Sequence, residues 1–215
     1  MVLPETTVSG LVCLQGGAEF GAGCIDMDTE VLTRSPDGGV VVLAGAAAPG
    51  REHEMATRNA MTYYTRLTGR PVISAPDPRE DRAGANSALA GAAVVVLPGG
   101  SPRRLLDVLA GEIGDTLRRA HEEGATLSGA SAGAMVLCTH TVVPGSGVTD
   151  GLGIVAGVAI PHFDGSNWWD IDVGDDIVRW GLPECGGILV TDDGVEPLGA
   201  GRVMRRVGGR AEPVR

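Results

Sequence analysis

Ser131 stands in Gly129-Ala130-Ser131-Ala132-Gly133-Ala134, a G-x-S-x-G arrangement that follows the apolar run 125–127 and precedes the apolar stretch 135–138. Small neighbours have a physical purpose where a strand turns sharply into a helix. The serine sits in strained backbone, and a larger side chain beside it would block a substrate. The backbone N–H of Ala132, at the head of the expected helix, is placed to donate to a developing oxyanion. A Gly- and Ala-rich turn also suits a purely structural role. Nucleophilic chemistry therefore depends on partners: a base, an orienting acid and a second oxyanion donor.

The loop Leu97-Pro98-Gly99-Gly100-Ser101-Pro102 follows the apolar run 93–97 and offers the second donor through the N–H of Gly100; alone, it is an ordinary turn. Of the four histidines, His53 and His121 fall on predicted polar helix faces and are expected in solvent. His140 lies just past an apolar stretch and reads as a packed structural histidine. His162 follows the apolar run 155–160, at a strand end where site residues of a parallel α/β sheet collect, and is the leading base for Ser131. Glu184, in Gly181-Leu182-Pro183-Glu184-Cys185-Gly186-Gly187, precedes another apolar run. Paired with His162 it would fix the imidazole tautomer and stabilise its protonated form; unpaired, it is a solvated turn residue.

The elements that must position these groups follow from the hydrophobic pattern. Short runs rich in Val, Leu and Ile at 11–14, 40–43, 71–74, 93–97, 125–127, 155–160 and 187–191 are bounded by Gly and Pro and lack polar alternation, which suits strands buried on both faces. Between them, 53–68, 103–110 and 113–123 read as helices, with Gly69 and Gly124 as stops. The alternation predicts an α/β fold with a mostly parallel central sheet and helices on both faces, a three-layer sandwich. Residues 76–87 read as turn-forming, 144–153 as a Gly-rich loop, and 163–180, with three Trp and many Asp, as a loop or short helix over the site. The arginine-rich stretch after residue 201 reads as an edge strand at 203–207 that then frays.

The length of 215 residues suits one compact domain, 1–215. A net charge of -10 leaves no field to draw in a phosphate backbone, so no nucleic-acid partner is expected. All 17 basic residues are arginine, which excludes Schiff-base, lysine general-base and Walker-lysine chemistry. The scattered Cys13, Cys24, Cys138 and Cys185 read as free thiols. The first ten residues lack the pattern of a leader, and no run is long and apolar enough for a membrane helix. The expected location is the cytoplasm, with no membrane partner.

Taken in order, the motifs Leu11-Val12-Cys13-Leu14-Gln15-Gly16-Gly17-Ala18-Glu19-Phe20, Leu97-Pro98-Gly99-Gly100, Gly129-Ala130-Ser131-Ala132-Gly133-Ala134, Gly151-Leu152-Gly153-Ile154, Pro161-His162-Phe163 and Gly181-Leu182-Pro183-Glu184 resemble the serine peptidase family of aspartyl dipeptidase (peptidase E) and cyanophycinase. The resemblance covers most of the chain and implies a fold similar to the class I glutamine amidotransferase domain (flavodoxin-like). It implies Ser131 as nucleophile, His162 as base and then acid, and Glu184 as third member, acting on a small peptide substrate without a cofactor. The order Ser, His, acid differs from the Ser, acid, His order of α/β-hydrolases.

The chain departs from the family where specificity is set. Members that recognise an aspartyl side chain carry arginine after the His-Phe pair, whereas 164–178 holds none and instead contains Asp164, Trp168, Trp169, Asp170, Asp172, Asp175 and Asp176. Like charge there disfavours an acidic substrate side chain unless Arg103, Arg104 or Arg179 folds in. The expectation is a pocket for a neutral or basic group, lined by Gly99, Ser101, Phe163, Trp168 and Trp169; the alternative is that the two tryptophans merely cover the core.

Two further readings come from other classes. A catalytically silent protein could use the same pocket to bind a peptide or metabolite. Glutamine amidotransfer needs a thiolate at the turn, which holds Ser131, and Cys138 is about two helical turns on. His53-Glu54 and His121-Glu122-Glu123 lack the spacing of a metal motif, so no metal site is expected. A homo-oligomer is left open.

Overall fold

Each parallel strand of the main sheet is followed by a helix that turns back across one face, so the helices segregate into two layers. The computed structural model describes residues 9–169 and 171–215; residues 1–8, most of the stretch read for a leader, and Asp170 of the acidic segment lie outside them. In chain order the elements are β1 (Val12–Gln15), α1 (Ile25–Arg34), β2 (Val40–Val42), α2 (Arg51–Leu67), β3 (Val72–Ser74), α3 (Arg82–Ala90), β4 (Val94–Leu97), α4 (Pro102–Leu109), α5 (Glu112–Glu122), β5 (Thr126–Ala130) and α6 (Ala132–Leu137). Then come β6 (Cys138–Val143), β7 (Gly147–Asp150), β8 (Val155–Ile160), β9 (Arg179–Gly181), β10 (Gly186–Thr191), β11 (Gly194–Gly199), β12 (Met204–Val207) and β13 (Arg210–Pro213).

The main sheet has seven strands in the order β11-β10-β1-β5-β4-β2-β3. β1, β5, β4, β2 and β3 run parallel, while β10 pairs antiparallel with β1 (Leu14 opposite Ile188) and with β11. Valines at alternate positions feed both layers, as the two-residue period of a strand requires. Val41, Val95, Leu97 and Leu127 pack with Leu105, Ile113 and Leu117 of α4 and α5, whereas Val40, Val42, Val94 and Val96 face Ala60 and Tyr64 of α2 and Leu32 of α1. The mostly parallel sheet between two helical layers is the fold expected from the sequence.

A second sheet of six strands, β13-β12-β9-β8-β6-β7, was not foreseen. The run 155–160, read as part of the central sheet, is β8 of this second one, parallel to β6 and β9. Its inner face shares the main core, with Val155, Ala159 and Trp180 buried against α6, and the Trp180 indole N–H donates to the Ala156 carbonyl at 2.9 Å. The segment after residue 201 does not fray: β12 and β13 form a hairpin, Val207 opposite Arg210. Residues 144–150 are the turn and return strand of the β6–β7 hairpin, and 151–153 begin the connection to β8.

Residues 76–87, read as turn-forming, include the first two thirds of α3. Asp81 caps that helix, its Oδ1 accepting the Gly84 N–H at 2.8 Å, and the side of α3 bearing Ala85 and Leu89 is buried. α1 was missed because its amphipathic pattern is short and opens on a 3-10 turn, Ala22–Cys24. β3 is an edge strand and mostly exposed, not buried on both faces. Among the described residues no helix is long and apolar enough to cross a membrane.

Candidate active site

The carboxyl ends of β1, β4, β5 and β8 and the β9–β10 turn converge on one place. Ser131 links β5 to α6 with φ 48°, its N–H donating to the Gln15 carbonyl at 2.9 Å and its carbonyl accepting the Met135 N–H. Left-handed backbone at a non-glycine costs about 1–3 kcal/mol and persists only where its surroundings enforce it. The flanking glycines show how. A Cβ on Gly129 would lie 2.5 Å from the Gly133 carbonyl carbon, and one on Gly133 would lie 2.1 Å from the Leu97 carbonyl oxygen. The turn is thus wedged between its own helix and β4.

His162 follows β8, also left-handed at φ 52°, with its N–H on the Gly16 carbonyl and its carbonyl accepting from the Asn167 amide at 3.1 Å. Its Nε2 is 3.0 Å from Ser131 Oγ, and its Nδ1 is 3.2 Å from Glu184 Oε1. The three side chains named from the sequence therefore form one hydrogen-bonded relay. The His162 and Glu184 side chains are 51% and 63% exposed, so the relay opens to solvent rather than lying in a sealed cavity.

The turn after β1 holds this relay from beneath. A Cβ on Gly17 (φ 132°) would meet the His162 ring at 2.4 Å from Cε1, and one on Gly16 would meet the Leu182 and Pro183 carbonyls at 2.2 Å. Gly17 also accepts the Cys185 N–H, next to Glu184, at 3.0 Å. Glu19, to which sequence reasoning gave no role, accepts the Gly99 N–H on Oε1 at 2.8 Å and so fixes the loop carrying Gly100. Its signal was present only as a polar residue inside a glycine-rich strand end. Gly100 adopts φ 141°, and Ala132 is the first residue of α6, where N–H groups have no intrahelical partner.

The remaining named residues are differently placed. Ser101 caps α4, accepting the Arg104 N–H at 3.3 Å. Phe163 is buried, packed over Gly181. Trp168 lies on Phe163, ring centroids 4.5 Å apart, while Trp169 packs against the main core. Asp164 accepts the Ser166 and Asn167 N–H groups, which hold its carboxyl below the usual range. The arginines weighed as partners for the acidic segment are engaged elsewhere: Arg103 on Ser146 Oγ, Arg104 near Glu52 at 3.8 Å, Arg179 on the Ile171 carbonyl. The arginine that does arrive is Arg206 of β12, its guanidinium 5.9 Å from the Trp168 ring centroid. It comes from the strand pairing of the second sheet, which no local pattern revealed.

The other histidines differ from expectation. His53 and His121 are half-buried, each with one ring nitrogen lacking a hydrogen-bond partner, and burial lowers the His121 pKa. The helices carrying them pack more of their circumference than the polar sequence suggests. His140 is partly exposed on β6, 4.0 Å from Asp150, rather than packed in the core. Among the described residues no three of His, Cys, Asp and Glu gather as a metal-binding group.

Residues 70–171 match the model of Peptidase family S51, a span that includes Gly99, Gly100, Ser131 and His162 but stops before Glu184. No curated protein matches the chain. Among solved structures, a peptidase from an acI-B1 Actinobacterium is similar at a TM-score of 0.81 and 20% identity, covering 97% of this chain and 95% of that one. A protein described as a peptidase E from Listeria monocytogenes EGD-e is similar at a TM-score of 0.66 and 13% identity, covering 90% of this chain and 100% of that one. The family match across the turn that holds Ser131 and the fold shared along nearly the whole length support placing the chain with peptidase family S51, the peptidase E and cyanophycinase family.

Proposed function

We propose that the chain is a serine-type peptidase of small peptides, with Ser131 as nucleophile, His162 as base and Glu184 as the group that orients it. The observation that carries this reading is the continuous relay of 3.0 Å from Ser131 Oγ to His162 Nε2 and 3.2 Å from His162 Nδ1 to Glu184 Oε1. Such spacing suits proton transfer in both directions.

As Ser131 Oγ bonds to the scissile carbonyl carbon, its proton passes to His162 Nε2, and the carbonyl oxygen takes up the electron pair. The N–H groups of Gly100 and Ala132 receive that oxyanion, each such donor contributing about 3 kcal/mol in enzymes of this chemistry. The C–N bond breaks with the His162 proton going to the departing amine, leaving an acyl ester on Ser131. Water, deprotonated by the same imidazole, attacks the ester, and Ser131 recovers its proton as the acid leaves. Glu184 keeps Nδ1–H pointing away from the serine and balances the imidazolium. Arg206, over the Trp168 ring at 5.9 Å from its centroid, offsets the acidic segment 164–176.

Incubating wild type and Ser131→Ala with a mixture of aspartyl, arginyl and neutral dipeptides and β-linked isopeptides, read by mass spectrometry, tests the reading. Products from wild type alone support it. Equal products from both refute the serine nucleophile, and binding without products from either indicates the catalytically silent alternative.

A further inference from the structure

A groove of about 810 Å³ opens beside the relay, between the turn after β1 and the outer face of α2. Phe20, Ile25, Tyr63 and Leu67 give it apolar walls, and Arg58 and Arg66 stand along its helical side. Its floor is stiff: Phe20 and Tyr63 are 5.5 Å apart between centroids, and the Tyr63 hydroxyl donates to buried Asp28 at 2.7 Å. Glu19 lines the near end. Its carboxylate accepts the Gly99 N–H, and a Cβ on Gly99 would lie 3.3 Å from Ser131 Cβ, so the groove begins one residue from the nucleophile.

The direction of the reaction selects which half of a substrate lies there. The departing amine must take its proton from His162 Nε2, while the Gly17 backbone abuts the Cε1 and Nδ1 edge of that ring; the groove is reached from the Ser131 side, where Gly99 and Glu19 stand between the serine and Phe20. The leaving group is therefore released toward Phe20. A peptide's leaving portion ends in a carboxylate, for which arginine is the matching partner. In a chain of net charge -10, Arg58 and Arg66 form no ion pair among the described residues, while Glu19 is committed to Gly99. Arg58 is the nearer, about 12 Å up the helix from Arg66 toward the strand ends.

We infer that this groove is the leaving-group subsite, holding an apolar side chain against Phe20 and Tyr63 and the free C-terminal carboxylate of the peptide on Arg58. The inference rests on Ser131 being the nucleophile. It makes the substrate class short peptides with an apolar C-terminal residue and an unblocked carboxylate.

The test compares Ala-Leu, Asp-Leu and Arg-Leu with their C-terminal amides. In wild type the acids are preferred, and in Arg58→Ala the acid-to-amide ratio of kcat/KM falls about tenfold or more through KM, with kcat little changed. Labelling of Ser131 by a fluorophosphonate stays at the wild-type rate in Arg58→Ala, which separates a lost subsite from a damaged nucleophile. Calorimetric binding of the same peptides to Ser131→Ala reads the groove without turnover. An acid preference abolished there by Arg58→Ala supports carboxylate binding in the groove even if Ser131 is never labelled, in which case the nucleophile reading fails and with it the groove's role as a leaving-group subsite. An acid-to-amide ratio unchanged in the Arg58→Ala, Arg66→Ala double variant overturns the inference.

Discussion

Replacing Gly17 by alanine should disable the site without touching any group proposed to react. The new Cβ would stand 2.4 Å from His162 Cε1, against the 3.4 Å at which ordinary contact begins, so the ring must retreat by about 1 Å. A retreat of that size along the Ser131 bond stretches 3.0 Å to about 4 Å and breaks it. Losing a positioned general base removes about 10²–10⁴ in rate. The backbone adds its own cost, because φ 132° belongs to glycine: about 1–3 kcal/mol of stability, or a Tm lower by about 2–10 °C for a chain of this size. The assay needs no substrate. The rate at which a fluorophosphonate labels Ser131 is followed by mass spectrometry at a temperature where melting curves show both proteins folded. Gly69→Ala, with open space around its Cβ, is the control and should label as wild type does. A folded Gly17→Ala chain labelled at the wild-type rate would refute the claim that this turn sets the position of His162.

Further expectations follow from the relay and the core. Glu184→Gln should slow Ser131 labelling about 10²-fold with little change in melting, less than for a fully buried acid because Glu184 is exposed; an unchanged rate would remove it from the relay. Burial raises the Asp28 pKa from an ordinary 3.8 to about 6. The folded chain thus holds a proton that the unfolded chain releases between those values. The stability linked to it is present below about pH 4, falls as pH rises through 6, and by pH 7 its loss amounts to roughly 3 kcal/mol. Asp28→Asn should therefore stabilise at pH 7 and not at pH 4, a difference that urea melts at the two pH values would show or deny. Asp81→Ala should cost about 1 kcal/mol by removing the α3 cap, read as a lower urea midpoint.

Much of the site was legible because each component announces itself locally. The turn at Ser131 needs glycines on both sides, His162 follows an apolar run, and Glu184 precedes another, so small residues and hydrophobic runs marked where to look. Glu19 and Arg206 were not legible, since their placement arises from a contact across 80 residues for Glu19 and Gly99, and from the pairing of β12 with β9 for Arg206. The central strands are mostly apolar runs and were read at the right places along the chain, although β5 runs on through Ser128 and Gly129 beyond the run 125–127. β8 carries the same apolar signature yet belongs to another sheet, since hydrophobicity reports burial and not the neighbour that supplies it. α3 was hidden by Gly, Asn and Ser, whose weak helix propensity is overridden by the cap and the packed Leu89.

Among the described residues, five that are not glycine adopt left-handed backbone: Ala18, Phe20, Ser131, His162 and Cys185. Two belong to the relay, two to the turn beneath it, and one follows Glu184. Anyone selecting variants of this chain for heat resistance will be drawn to these positions, since glycine relieves the strain at each. At Ala18, where no packed ring is lost, the hardier protein should be the slower one, because the same tension that weakens the fold holds the turn under His162. Selection for endurance and selection for turnover would pull these few residues in opposite directions.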